Sequence, residues 1–90
     1  MRFEFGIFDG DTLLERGEFE IASSLGCAHF DSFHAAHLLD GDAAKITLSS
    51  FSSRIRLKKV DLDVPLHESE DWESIDLAGY TLAFRCYLCA

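Results

Sequence analysis

Phe3, Phe5 and Ile7 alternate with Arg2, Glu4 and Gly6 at the start of the chain, the period-two pattern of a strand with one buried face. Asp9-Gly10 follows at once and predicts a two-residue type I′ hairpin turn, both of whose central residues need positive φ. That turn sets Phe5 opposite Leu14, Ile7 opposite Thr12 and Glu4 opposite Glu15. The apolar parity then switches between Leu14 and the pair Phe19 and Ile21. A bulge or second turn at Arg16-Gly17 accounts for the switch.

Alternation breaks from Cys27 to Leu39. At about 100° per residue, Phe30, Phe33, His34 and His37 fall in one arc flanked by Cys27 and Leu38, the apolar stripe of an amphipathic helix. Ser23 or Ser24 caps this predicted helix, Gly26 weakens its first turn, and Gly41 ends it as a left-handed residue just past the last turn.

Alternation returns with Ile46 and Leu48. Ser49 to Ser53 makes a turn into a strand in which Ile55 and Leu57 share one face and Val60, Leu62 and Val64 the other, so a bulge is expected at Lys58-Lys59. Pro65 stops that strand, having no N–H for a ladder. The connection from Pro65 to Ala78 is a functional loop or holds a short helix: Ser69 is placed to cap it, acids fill its first turn, and Trp72 and Ile75 share a side. Tyr80 to Cys89 closes the chain as an interior strand, with Leu82, Phe84, Cys86 and Leu88 on one face and little charge on the other. Together these elements predict an α+β fold over residues 1–90. It is a single small domain with a mostly antiparallel five-stranded sheet and one helix packed across one face, in the order β-β-α-β-β-β.

Charge sharpens the picture more than composition does. Sixteen acids against eight bases give a net charge of −8, which repels phosphate backbones and anionic lipid and attracts basic surfaces. The 48% hydrophobic content is that of an ordinary folded domain. No apolar run is long enough for a membrane span, and an odd cysteine count fits reduced thiols, so a cytoplasmic protein is expected.

Two groups of residues are candidates for chemistry. Cys27, His29, His34 and His37 crowd together, and Cys86 and Cys89 form a CxxC, so zinc is a possible ligand class. On a continuous strand Cys86 and Cys89 point to opposite faces, and no turn former between them makes a metal knuckle, so the favoured expectation is no metal and no cofactor. No nucleophile elbow or glycine-rich loop points to catalysis. Arg54, Arg56 and Lys58 alternate outward, but so few bases, without interleaved aromatics, make a weak nucleic-acid ridge on so acidic a chain.

The stronger signal is acidic. Asp61, Asp63, Glu68, Glu70, Asp71, Glu73 and Asp76 fall within sixteen residues that contain no lysine or arginine, with Trp72 in their midst. An aromatic anchor inside a charged rim combines steering with affinity. The expected function is therefore that of a small acidic protein-binding inhibitor. It would occlude a basic surface, such as the nucleic-acid-binding site of a larger protein or complex. Its size and charge resemble those of phage anti-defence and toxin-immunity proteins, an analogy without a motif behind it. The alternative is a small metal-binding or thiol-dependent enzyme or sensor using Cys27, His29, His34 and His37.

Overall fold

The computed structural model describes residues 1–56, 58–65 and 71–87. These residues form eight strands and no helix: β1 (Arg2–Asp9), β2 (Thr12–Glu20), β3 (Gly26–His29), β4 (Phe33–Asp40), β5 (Ala43–Ser50), β6 (Lys59–Pro65), β7 (Glu73–Leu77) and β8 (Tyr80–Tyr87). They make two four-stranded antiparallel sheets, β2-β1-β8-β7 and β3-β4-β5-β6, here called the terminal sheet and the meander sheet. The α+β expectation of one five-stranded sheet under a helix is thereby overturned: the fold is all-β.

The predicted helix is two strands and a turn. His29 and His34 face each other across β3 and β4, and the Phe30 amide donates to the Phe33 carbonyl at 2.8 Å to close the link between them. The misreading has a physical origin. A spacing of four residues is common to the helical and the extended period, so Phe33 and His37 share a face in both. Alanine and histidine carry little hydrophobic contrast, which hides the inward series Phe33, Ala35, His37. Asp31 and Ser32 are turn formers inside the run. Gly41 does not end a helix; with φ of 62° it turns the β4–β5 hairpin, as Gly10 with φ of 61° turns β1–β2. In each hairpin only the first central residue has a positive φ, which is the requirement of a type II′ turn and not of the type I′ turn expected at Asp9-Gly10.

The β1–β2 register is also displaced from the expected one. Phe8 pairs with Leu13 and Ile7 with Glu15, so Leu14 is the additional residue and the bulge lies there rather than at Arg16-Gly17. Gly17 has another role: facing Phe5, it leaves room for the ring of Phe30, whose nearest carbon would stand 2.5 Å from a Cβ at this position. The expected strand over residues 54–58 is absent from the described residues there: Arg54, Arg56 and Lys58 lie exposed in the connection from β5 to β6, from which Ile55 is buried. The expected short helix around Trp72 and Ile75 is replaced at Glu73–Leu77 by β7.

One core joins the sheets. Phe3, Phe5 and Ile7 of β1 and Leu82, Phe84 and Cys86 of β8 meet Phe33 and Ala35 of β4, Ala44, Ile46 and Leu48 of β5, and Val60, Leu62 and Val64 of β6. Phe5 meets the edges of Phe30 at 5.2 Å and Phe33 at 6.5 Å, and Phe3 lies 5.3 Å from Phe19. Such aromatic pairs contribute about 0.5–1.5 kcal/mol each beyond their burial. β8 is interior, between β1 and β7, as its low charge predicts. Consecutive strands are paired or follow one another around the two sheets, so the topology is an up-and-down meander opened between β2 and β3 and between β6 and β7.

Candidate functional site

Alternation sends one set of side chains from each sheet into the core and the other to solvent, and the outward set of the terminal sheet is unusual. On β1 it reads Arg2, Glu4, Gly6, Phe8, and on β8 Thr81, Ala83, Arg85, Tyr87. Gly6 lies between Arg16 and Ala83 in the ladders. With almost no side chain at Gly6 and a methyl at Ala83, the sheet surface sinks between taller neighbours. The result is an open groove of 520 Å³ lined by Glu4, Phe8, Leu13, Arg16, Glu18 and Trp72 above that floor. A Cβ on Gly6 would come within 3.2 Å of the Phe8 ring.

Trp72 stands at one side of the groove, 52% exposed, and Leu13 on the opposite side is 45% exposed. Trp72 is thus not a plug in the core. It is held in place by Arg85, whose guanidinium carbon lies 4.8 Å from the centre of the Trp72 ring and 5.0 Å from that of Tyr87. Arg85 is itself positioned by Glu4, its partner across the ladder: Nε donates to Oε2 at 3.2 Å and Nη2 to Oε1 at 3.3 Å. The Tyr87 hydroxyl donates to Glu4 Oε1 at 2.6 Å. That short bond, with the Arg85 bonds and charge behind it, lowers the Glu4 pKa below its ordinary value against the opposing effect of partial burial. The same bond raises the Tyr87 pKa, because the phenolate could not donate it. The arrangement fixes a cation between two aromatic rings and presents the indole beside a shallow apolar floor.

The acidic segment is split between the sheets. Asp61 and Asp63 sit on β6 of the meander sheet, facing Thr47 and Lys45. Asp61 accepts from the Thr47 hydroxyl at 2.8 Å and has Lys59 Nζ at 4.0 Å. Asp71 and Trp72 precede β7, while Glu73 and Asp76 lie on it in register with Phe84 and Thr81. Glu68 and Glu70 lie outside the described residues. The segment is therefore divided between two sheets, and on β7 between two faces: Asp76 shares the outer face with Thr81, whereas Glu73 has the parity of the core residue Phe84 at the exposed edge.

The histidines also separate. His37 points into the core, 7% exposed, with its ring stacked on Phe19 at 4.6 Å and its Nδ1 without a partner among the described residues. Burial lowers its pKa. His34 points the other way, so the shared face expected for His34 and His37 does not exist in a strand. Cys27, His29 and His34 occupy the outer face of the meander sheet, with Cys27 Sγ 3.9 Å from His34 Nδ1. Cys86 is buried, and burial raises its pKa; Cys89 lies outside the described residues.

The groove itself was not anticipated. Its signal was present in the solvent-facing positions, where Gly6 and Phe8 on β1 and Ala83 on β8 are too small or too apolar for an ordinary outer face. Comparison of the chain with known protein families, with curated proteins and with solved structures finds no match. Among the described residues no helix is long and apolar enough to cross a membrane. The class that fold and site define is a small acidic two-sheet β protein with an aromatic-walled groove on one outer face.

Proposed function

We propose that this chain is a small acidic binding protein that occludes a basic surface on a larger protein or complex, with the outer face of the terminal sheet as its contact surface. The observation that carries the proposal is Trp72: an indole half exposed beside a groove, held by a guanidinium already committed to Glu4, in a protein of net charge −8. Tryptophan is the side chain most enriched among binding hot spots, and a groove with an apolar floor gives a partner side chain a place to be desolvated. Glu18, paired with Glu4, and Asp76, paired with Thr81, are exposed carboxylates on the outward face of the strands around it, and they favour a cationic partner and speed its approach at low salt. Because β1, β2 and β8 form a continuous ladder beneath the groove, its walls are positioned before binding and little ordering is required. The compartment that fits this reading is the cytoplasm.

The test compares the two outer faces. The immobilised protein captures its basic partner at low salt, and the capture weakens as the Debye length falls from about 10 Å at 0.1 M to about 3 Å at 1 M. Leu13→Ser and Trp72→Ala are expected to release the partner, whereas the paired change Asp61→Asn and Asp63→Asn on the meander sheet leaves it bound. Loss on the second pair with retention on the first would place the interface on the wrong sheet for this proposal.

A further inference from the structure

We propose that Cys27, His29 and His34 form a binding site for a borderline-soft divalent cation, zinc being the natural occupant, on the outer face of the meander sheet. Neither the groove nor the acidic residues take part in it. β3 and β4 bring the three side chains together: His29 and His34 are directly opposed in the ladder, and Cys27 lies on the same face, opposite Ala36. Alternation from Cys27 to His29 keeps both outward, and the short link through Phe30, Asp31 and Ser32 fixes the register.

The distances are close to those a tetrahedral ion imposes. Bonds of about 2.3 Å to sulfur and 2.0 Å to nitrogen separate the two donors by roughly 3.6 Å, and Cys27 Sγ lies 3.9 Å from His34 Nδ1. Two imidazoles on one such ion have ring centres roughly 5 Å apart, and those of His29 and His34 are 5.9 Å apart. As the side chains stand, no group of three donors among the described residues is placed to hold a metal ion, so binding requires the exposed Cys27 or His29 side chain to change rotamer. The ring of Phe51 stacks on His34 at 6.2 Å and an angle of 17°. The thiol's other neighbour is the Ala28 carbonyl, at 4.0 Å, too long to hold it away from an ion.

One thiolate and two neutral imidazoles are a donor set for zinc, with water completing the tetrahedron. On binding, the Cys27 S–H bond breaks, its proton passes to buffer, and sulfur bonds the cation; neither sulfur nor metal changes oxidation state.

The experiment uses the full chain with its other cysteines intact and Co²⁺ as a visible stand-in for Zn²⁺. Reduced protein should take up one Co²⁺ with a thiolate-to-cobalt charge-transfer band and tetrahedral d–d absorption, both removed by an equivalent of Zn²⁺. Cys27→Ser should lose the charge-transfer band, and His29→Gln and His34→Gln should each weaken uptake, with far-ultraviolet circular dichroism unchanged in all three because these positions lie outside the core. A band that survives in Cys27→Ser assigns the thiolate to another cysteine and overturns the proposal. So does the absence of any band in the wild-type protein, or uptake indifferent to both histidine changes.

Discussion

Gly17→Ala probes the junction of the two sheets with a single methyl group. The added Cβ would stand 2.5 Å from Phe30 Cε1 and 2.8 Å from Cδ1 and Cζ, so the ring must retreat by about 1 Å to reach ordinary contact. It is not free to do so without loss: Phe30 meets Phe5 at 5.2 Å and Phe19 at 6.2 Å, both packed in the core. Overpacking of this kind destabilises by about 1–3 kcal/mol, while alanine is better than glycine within a strand by roughly 0.5–1 kcal/mol. The expected net loss is about 1–2 kcal/mol, or a fall in Tm of about 5–15 °C for a domain of this size. Urea denaturation followed by circular dichroism measures it. In a Phe30→Ala background the same change should be neutral or mildly stabilising, because the obstructing ring is gone. If Gly17→Ala is harmless in the wild-type protein, or equally damaging in both backgrounds, the contact with Phe30 is not the reason for glycine at this position.

Ala78 occupies the first central position of the β7–β8 turn with φ of 49°, followed by Gly79 at 93°; Ala78→Asn should raise Tm by about 4 °C, since asparagine tolerates this left-handed conformation better. His37 titrates below 6.5 in the folded protein because it is buried, so the unfolded chain binds more protons between that lowered value and pH 6.5. Its contribution is therefore complete above about pH 6.5 and lost as the pH falls through the window below it. Urea midpoints at pH 7.5 and 5.5 should differ less in His37→Phe than in wild type, and an unchanged difference would assign the acid sensitivity elsewhere. Glu4→Gln removes the carboxylate that positions Arg85 and accepts from Tyr87; the Tyr87 pKa should fall towards its ordinary value, as a spectrophotometric titration of the phenol would show.

The strands with strong contrast between their faces were legible from residues alone. Phe3, Phe5 and Ile7 against Arg2 and Glu4, and Leu82, Phe84 and Cys86 at the other end of the chain, give β1 and β8 directly, and the two strands prove to be neighbours. β4 was illegible by the same criterion, because its inward residues Phe33, Ala35 and His37 include a small and a polar side chain and fit a helix as well. The better guide was local turn chemistry: Asp40-Gly41 repeats Asp9-Gly10, and both pairs stand at hairpin turns. The acidic segment and Trp72 could be picked out, yet their division between two sheets depends on which strands pair, information carried by no window of the sequence. The groove depends on Gly6, Arg16 and Ala83 lying side by side from three strands, which is again a matter of register.

The decisive measurement is the affinity of the captured basic partner for wild-type protein and for Trp72→Ala at low salt, each with its melting temperature. Trp72 is half exposed, and its cation–π contact with Arg85 is worth about 0.5–1 kcal/mol to the fold. Its removal should therefore lower Tm by only a few degrees while weakening binding by about 2 kcal/mol or more, roughly thirtyfold. An unchanged Kd with the fold intact would contradict the assignment of Trp72 as the anchor and of the groove beside it as the contact surface.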